Sequence, residues 1–283
     1  SESCRDTATN SPACPLRWES PPARGTVTAE APNLWSVSDA ATTTAKVLLE
    51  LQHKVPGAAM ADVRELPSGR AVVWLEVDGS HHKGALSAAA SQVIAAAADA
   101  ARTKGLPLIG QFASSGADIL EGIAALHGWG TAAKALAECS GVVPTVSIVN
   151  GPAVSGPALL IGLADFVVMT EDAYAFVSGP TMVEEFTGTA VTTAEHGGPT
   201  THARQSGAAS VVVADVAAAV EWVDALLQFV PDNVDNLPTF QPTGDDDNRP
   251  TPEAGELMPT TSTGSYDVRD VISSVVDDGY HFE

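Results

Sequence analysis

Two stretches of the chain repeat one pattern: an apolar run, a turn of small residues, then a longer apolar stretch at helical spacing. The first is Leu108–Phe112, the turn Ser114–Gly116 and a helix expected over Ile119–Cys139. The second is Val143–Val149, the turn Gly151–Gly156 and a helix expected over Ala158–Leu163. A short apolar run without polar alternation reads as a strand buried on both faces. A strand, a turn and a helix returning to the next strand make a βαβ unit with parallel pairing and a right-handed crossover. The pattern therefore predicts an α/β domain of stacked βαβ units.

The flanking segments extend this reading. Val63–Leu66 and Ala71–Val77 are expected as strands across a Pro67–Ser68–Gly69 turn, followed by a helix over Ala85–Lys104 that Gly105 stops. Strands are expected at Phe166–Thr170 and Tyr174–Val177, a helix at Asp215–Val230 with Val216, Val220, Val223 and Leu227 on one face, and a last helix at Tyr266–Val276. Residues 231–265 are polar and proline-rich and read as an extended surface segment. A helix is expected over Ala41–His53, with Val47, Leu48 and Leu51 at helical spacing. Residues 1–40, rich in Ser, Thr, Pro and Ala, form an irregular arm, so the single domain is taken as 41–283.

Composition narrows the function. Of 283 residues, 35 are acidic and 14 basic, for a formal net charge of −21. A field of that sign repels nucleic acid and anionic membrane, so neither is expected as a partner. No apolar stretch approaches the length of a membrane span, and no basic segment followed by an apolar run marks a secretory leader; a cytoplasmic protein is expected. Cys4, Cys14 and Cys139 make neither a disulfide framework nor a zinc ribbon, and Asp245–Asp247 lacks the alternating oxygens of a calcium loop. No bound metal is expected.

The two turns carry the chemistry. Small residues let a ligand oxygen approach the backbone, and N–H groups entering a helix have no internal partner. Two such turns side by side form an oxyanion hole for a thioester enolate or a tetrahedral intermediate. The same pattern also serves as a plain packing device. The expected catalytic donors are Gly116 and Ala117 at one turn, and Ser155 and Gly156 at the other, with Ser114 and Ser115 as substrate-binding hydroxyls. His81, His82, Lys83 and Gly84 lie between a strand end and a helix, and read either as a solvated loop or as a substrate-binding foothold for the phosphates of an anionic ligand. His196 and His202, flanking Gly197–Gly198, are acid–base candidates or structural histidines. Pairing one of them with Ser115 or Ser155 would suit a hydrolase, but no Gly-x-Ser-x-Gly elbow is present. Gly156→Val is expected to crowd a ligand more than the fold.

Several segments together resemble the carboxyltransferase subunits of propionyl- and acetyl-CoA carboxylases. They are GRAVV at 69–73, GLPLIG at 105–110, SSGADILEGI at 114–123 and GVVPTVSIVNGPAVSGPALLIGLADFVVM at 141–169, then SGPTMVEEFTG at 178–188, EHGGPTTHARQSGAA at 195–209 and YDVRDVISSVVDDGYHFE at 266–283. The resemblance runs in order over about 68–283 and matches the N-terminal half of the family. It implies a crotonase-like ββα superhelix that binds an acyl-CoA or acyl-carrier thioester. It also implies biotin carried by a partner protein, a C-terminal-half carboxyltransferase subunit, biotin carboxylase and biotin carrier subunits, and an oligomer whose active site forms between halves of different protomers. The implied reaction moves CO2 from carboxybiotin to the α-carbon of the acyl-CoA through an enolate.

The turns depart from the family pattern. Ala113-Ser114-Ser115-Gly116-Ala117-Asp118-Ile119 stands where members commonly have Asp-Ser-Gly-Gly-Ala-Arg-Ile. Gly151-Pro152-Ala153-Val154-Ser155-Gly156-Pro157 stands for Gly-Pro-Cys-Ala-Gly-Gly-Ala, and Ser80-His81-His82-Lys83-Gly84-Ala85 for Phe-Gly-Gly-Ser-Leu-Gly. These departures keep two further readings open: a biotin-independent thioester decarboxylase or hydrolase, and an assembly subunit whose catalytic turns have decayed.

Overall fold

The computed structural model describes residues 58–240, 242–246, 248–279 and 281–282; the expected arm and the helix over 41–53 lie outside them. β1 (Ala59–Glu65) and β2 (Ala71–Val77) form an antiparallel hairpin. All other pairings are parallel. β2 pairs with β3 (Leu108–Ser114), β3 with β4 (Thr145–Val154), and β4 with β5 (Phe166–Thr170). β6 (Tyr174–Phe176) lies on the far end of β4, and β7 (Val211–Val213) beside β5. The expected parallel α/β domain is present, with β1 as its antiparallel edge.

Helices cover both faces. α1 (Ala88–Lys104), α2 (Ile123–Ala137) and α3 (Gly156–Ile161) follow β2, β3 and β4 in turn. α4 (Pro180–Thr187) and α5 (Thr193–Gly197) come next, a π-helical turn spans His202–Ser206, and α6 (Val216–Leu227) follows β7. α7 (Pro252–Glu256) and α8 (Val268–Val275) close the series.

Strand alternation sorts the core into two layers. On β2, Val73, Leu75 and Val77 face the alanines of α1 and Leu136 of α2, while Val72 and Trp74 face Ala219, Val223, Leu226 and Leu227 of α6. Small side chains let α1 and α2 pack closely: a Cβ on Gly128 would come within 3.0 Å of Ala88 Cα and Ser91 Cβ. α1 is capped by Ser87, whose hydroxyl accepts from Ala90 N–H, and by the Glu121 carboxylate, which accepts from Ala88 N–H at 2.6 Å. Gly105 ends it in the left-handed region, φ +65°.

Some boundaries moved for tertiary reasons. α2 begins at Ile123 rather than Ile119, because Ala117 pairs with Leu86 and Glu121 turns back to cap α1. β4 runs on to Val154 because Pro152–Val154 pair with β6. On α6 the buried face is Ala219, Val223, Leu226 and Leu227, with Val216 and Val220 half-buried. α4, α5, β7 and α7 were not expected, α7 lying inside the segment 231–265 expected to be extended; α4 buries no residue.

Arg70 fastens β2 to the end of α6. Its Nε donates to Asp232 Oδ1 at 2.5 Å, and its two terminal nitrogens donate to the carbonyls of Leu227 and Val230. Lysine keeps the charge but not the fork. Arg70→Lys is expected to lower stability by about 1–3 kcal/mol, read by urea melting. An unchanged midpoint would show that the clamp contributes nothing.

Candidate functional site

β3 and β4 lie side by side with Ser114 opposite Ala153, so the two turns leave the sheet together. A Cβ placed on Gly116 would lie 3.4 Å from Val154 O and 3.9 Å from Ser155 Cβ. Gly116 thus meets Val154 and Ser155, and Ala117 and Gly156 are the next residues along the two turns.

The loop from Asp78 to Ser87 lies over the first turn. Hydrogen bonds from the Ser80 hydroxyl and N–H hold the Asp78 carboxyl below its ordinary value, with a smaller contribution from His81. The rings of His81 and His82 stack at 4.7 Å. His82, Lys83 and Gly84 all take positive φ, +47°, +55° and +68°. Ser115 N–H donates to Lys83 O at 2.9 Å, and Ser114 Oγ donates to Gly84 O at 2.5 Å. Gly84 is packed so tightly that a Cβ there would lie 1.9 Å from Ala113 O. His81, His82 and Lys83 are exposed beside the turns, and Lys83 makes no ion pair among the described residues.

Following each N–H separates the four expected donors. Leu86 N–H donates to Gly116 O, and Asp118 N–H donates to Leu86 O. The parallel bridge therefore uses the residues flanking Ala117 and turns Ala117's own N–H away from Leu86, with no acceptor among the described residues. Gly116 N–H points at Ser114 Oγ, 3.4 Å away. Ser155 N–H is committed to Phe176 O at 2.8 Å and cannot serve a ligand, which corrects the expectation for that donor. Gly156 N–H, at the start of α3, has no acceptor among the described residues; Pro157 carries no N–H. Two uncommitted donors remain, Ala117 and Gly156.

The side chains sort similarly. Ser114 is fully buried with its hydroxyl engaged, so it secures the Gly84 loop rather than lying open to a substrate; Ser115 is exposed. Gly156 has no side chain for a reason the sequence did not show. A Cβ there would come 2.8 Å from Nε1 of Trp129, on α2. Gly156→Val would therefore disturb packing directly, contrary to expectation. His202 Nε2 lies 2.7 Å from Ala175 O and its Nδ1 2.8 Å from Ser206 Oγ, while His196 Nε2 lies 2.8 Å from Ser178 O. These contacts tie the imidazoles to β6 and its exit, beside an apolar cavity of about 370 Å³ bounded by Ala158, Ile161, Met169 and Phe176. Burial pushes the Cys139 thiol up to about 11, so it is not a nucleophile. Among the described residues no group of three metal-ligating side chains gathers, and no helix is long and apolar enough to cross a membrane.

The geometry has relatives. The propionyl-CoA carboxylase carboxyltransferase subunit of Haloferax mediterranei is 34% identical over 233 residues, 82% of this chain and 45% of the relative. The methylmalonyl-CoA carboxyltransferase 12S subunit of Propionibacterium freudenreichii is 33% identical over 229 residues, 81% of this chain and 44% of the relative. A transcarboxylase 12S crystal structure, described as a hexamer assembly with hydrolysed methylmalonyl-coenzyme A bound, superposes with TM-score 0.74 at 32% identity, over 79% of this chain and 43% of that one. The chain thus spans less than half the length of these relatives. The family model described as the carboxyl transferase domain matches residues 40–283, most of the chain. By that match, and by a fold shared with the 12S subunit, the chain belongs to the carboxyl transferase domain family.

Proposed function

We propose that this chain is the thioester-binding half of an acyl-CoA carboxyltransferase. The observation that carries the reading is the pair of uncommitted N–H groups, Ala117 and Gly156, on adjoining turns. Loss of the α-proton, or of a carboxyl group, from an acyl thioester puts negative charge on the thioester oxygen. Fixed donors aimed at that oxygen bind the enolate more strongly than the neutral thioester, which is what lowers the barrier. His81, His82 and Lys83 would hold the CoA phosphates, giving an anionic ligand a local foothold in an acidic chain.

Biotin, carried by a partner protein, would supply and accept the carboxyl group; its site belongs to the other half, and no described residue is assigned to it. That half would be a C-terminal carboxyltransferase subunit, working with biotin carboxylase and biotin carrier subunits in an oligomer. Ile119, Leu120 and Ile123, beside the first turn, are 88%, 90% and 83% exposed, an apolar surface suited to such a subunit.

The test supplies the chain with a C-terminal-half subunit, methylmalonyl-CoA and free biotin. Loss of the carboxyl group from methylmalonyl-CoA is expected only with biotin and both halves present. Equal turnover without biotin would overturn carboxyl transfer in favour of simple decarboxylation.

A further inference from the structure

Ser155 takes φ +63° and ψ −118°, a backbone conformation open to glycine and strained for a residue with a Cβ. The strain is held from both sides: Ser155 N–H is fixed on Phe176 O, and Ala153 and Pro157 are buried. β4 enters this point and α3 leaves it, so the serine stands on a sharp strand-to-helix turn. The residue is exposed, and its hydroxyl has no hydrogen-bond partner among the described residues. The next residue, Gly156, offers an uncommitted N–H, and the neighbouring turn offers that of Ala117. A serine on such a turn, with one donor on the following residue and another from a nearby loop, has the layout of a nucleophile and its oxyanion hole. Here Ala153 and Pro157 occupy the positions where the Gly-x-Ser-x-Gly motif has glycines, so the motif is absent although the turn is present.

We propose that Ser155 accepts the acyl group of a thioester bound at these turns, forming an acyl-serine. The proposal rests on the thioester-binding reading but requires neither biotin nor a second half. Ser155 Oγ bonds to the carbonyl carbon, and the carbon–sulfur bond breaks with its electron pair going to sulfur. The serine proton passes through solvent to that sulfur, giving a free thiol; nothing is oxidised or reduced. Ala117 and Gly156 hold the charge on the carbonyl oxygen meanwhile. No described imidazole or carboxylate touches the hydroxyl to activate it, so the expected reaction is a slow single acylation.

The full chain is incubated with propionyl-CoA alone, and intact mass, peptide mapping and thiol release are followed, with binding measured by thermal shift. One propionyl group per chain on Ser155 and an equivalent of thiol are expected, both lost in Ser155→Ala and Ser155→Gly. Ser155→Gly should also melt about 2–6 °C above the parent, and Ser155→Ala should not, since only glycine releases the strain. Binding without an adduct, or an adduct on another residue, overturns the acyl-serine and leaves the thioester site standing. Absence of binding overturns both.

Discussion

Gly84→Val is expected to cost more than about 4 kcal/mol and to lower the melting temperature by about 10 °C or more. Two effects combine. The residue sits at φ +68°, which a β-branched side chain resists, and its Cβ would lie 1.9 Å from a backbone oxygen, Ala113 O. That oxygen belongs to the main chain of β3 and cannot give way as a flexible side chain would. The comparison is Gly69→Val. Gly69 has φ +85° but nothing within 4 Å of its would-be Cβ, so only the conformational cost of about 1–3 kcal/mol applies. Thermal and urea melts of both variants check this, and equal losses would show that the collision is relieved by movement of the loop.

Ala117→Pro is expected to lower kcat/KM for carboxyl transfer by about 10²–10³-fold, the scale for losing one oxyanion donor. Proline removes the N–H and fixes φ at about −65°, and no hydrogen bond among the described residues is lost with that N–H. The bridge to Leu86 uses Gly116 O and Asp118 N–H, neither of which the substitution deletes. Proline also restricts the residue before it, which here is a glycine at φ +119°. Melting should therefore change by only a few degrees, read on the preparations used for initial rates with the C-terminal half present. An undiminished rate in a folded variant would remove Ala117 from the site.

The parallel layering was legible because β3, β4 and β5 are mostly apolar runs, each separated from the next by a segment that holds a helix. Legible for the same reason was the meeting of the two turns, since strands adjacent in a parallel sheet deliver their following turns to the same end. What stayed hidden depends on contacts far apart in sequence. Gly116, Ala117, Ser155 and Gly156 look equivalent as small turn residues; Leu86 and Phe176 decide which of their N–H groups remain uncommitted. Ser114 looked like a substrate contact until the return of the Gly84 loop buried it. Gly156 looked like room for a ligand, whereas Trp129 of α2 occupies that side. At eight, five and three residues, α4, α5 and β7 are too short to show a period.

The two uncommitted donors belong to the main chain, and any residue except proline provides one. Replacement of a side chain at 115, 117 or 155 leaves the N–H groups where they are as long as the neighbouring strands hold the path. Side chains at these positions can thus vary without removing the donors. A serine at 155 needs only a fold that tolerates its strained backbone. Its hydroxyl then stands beside donors that were already in place, so a second reactivity can arise before any selection for it.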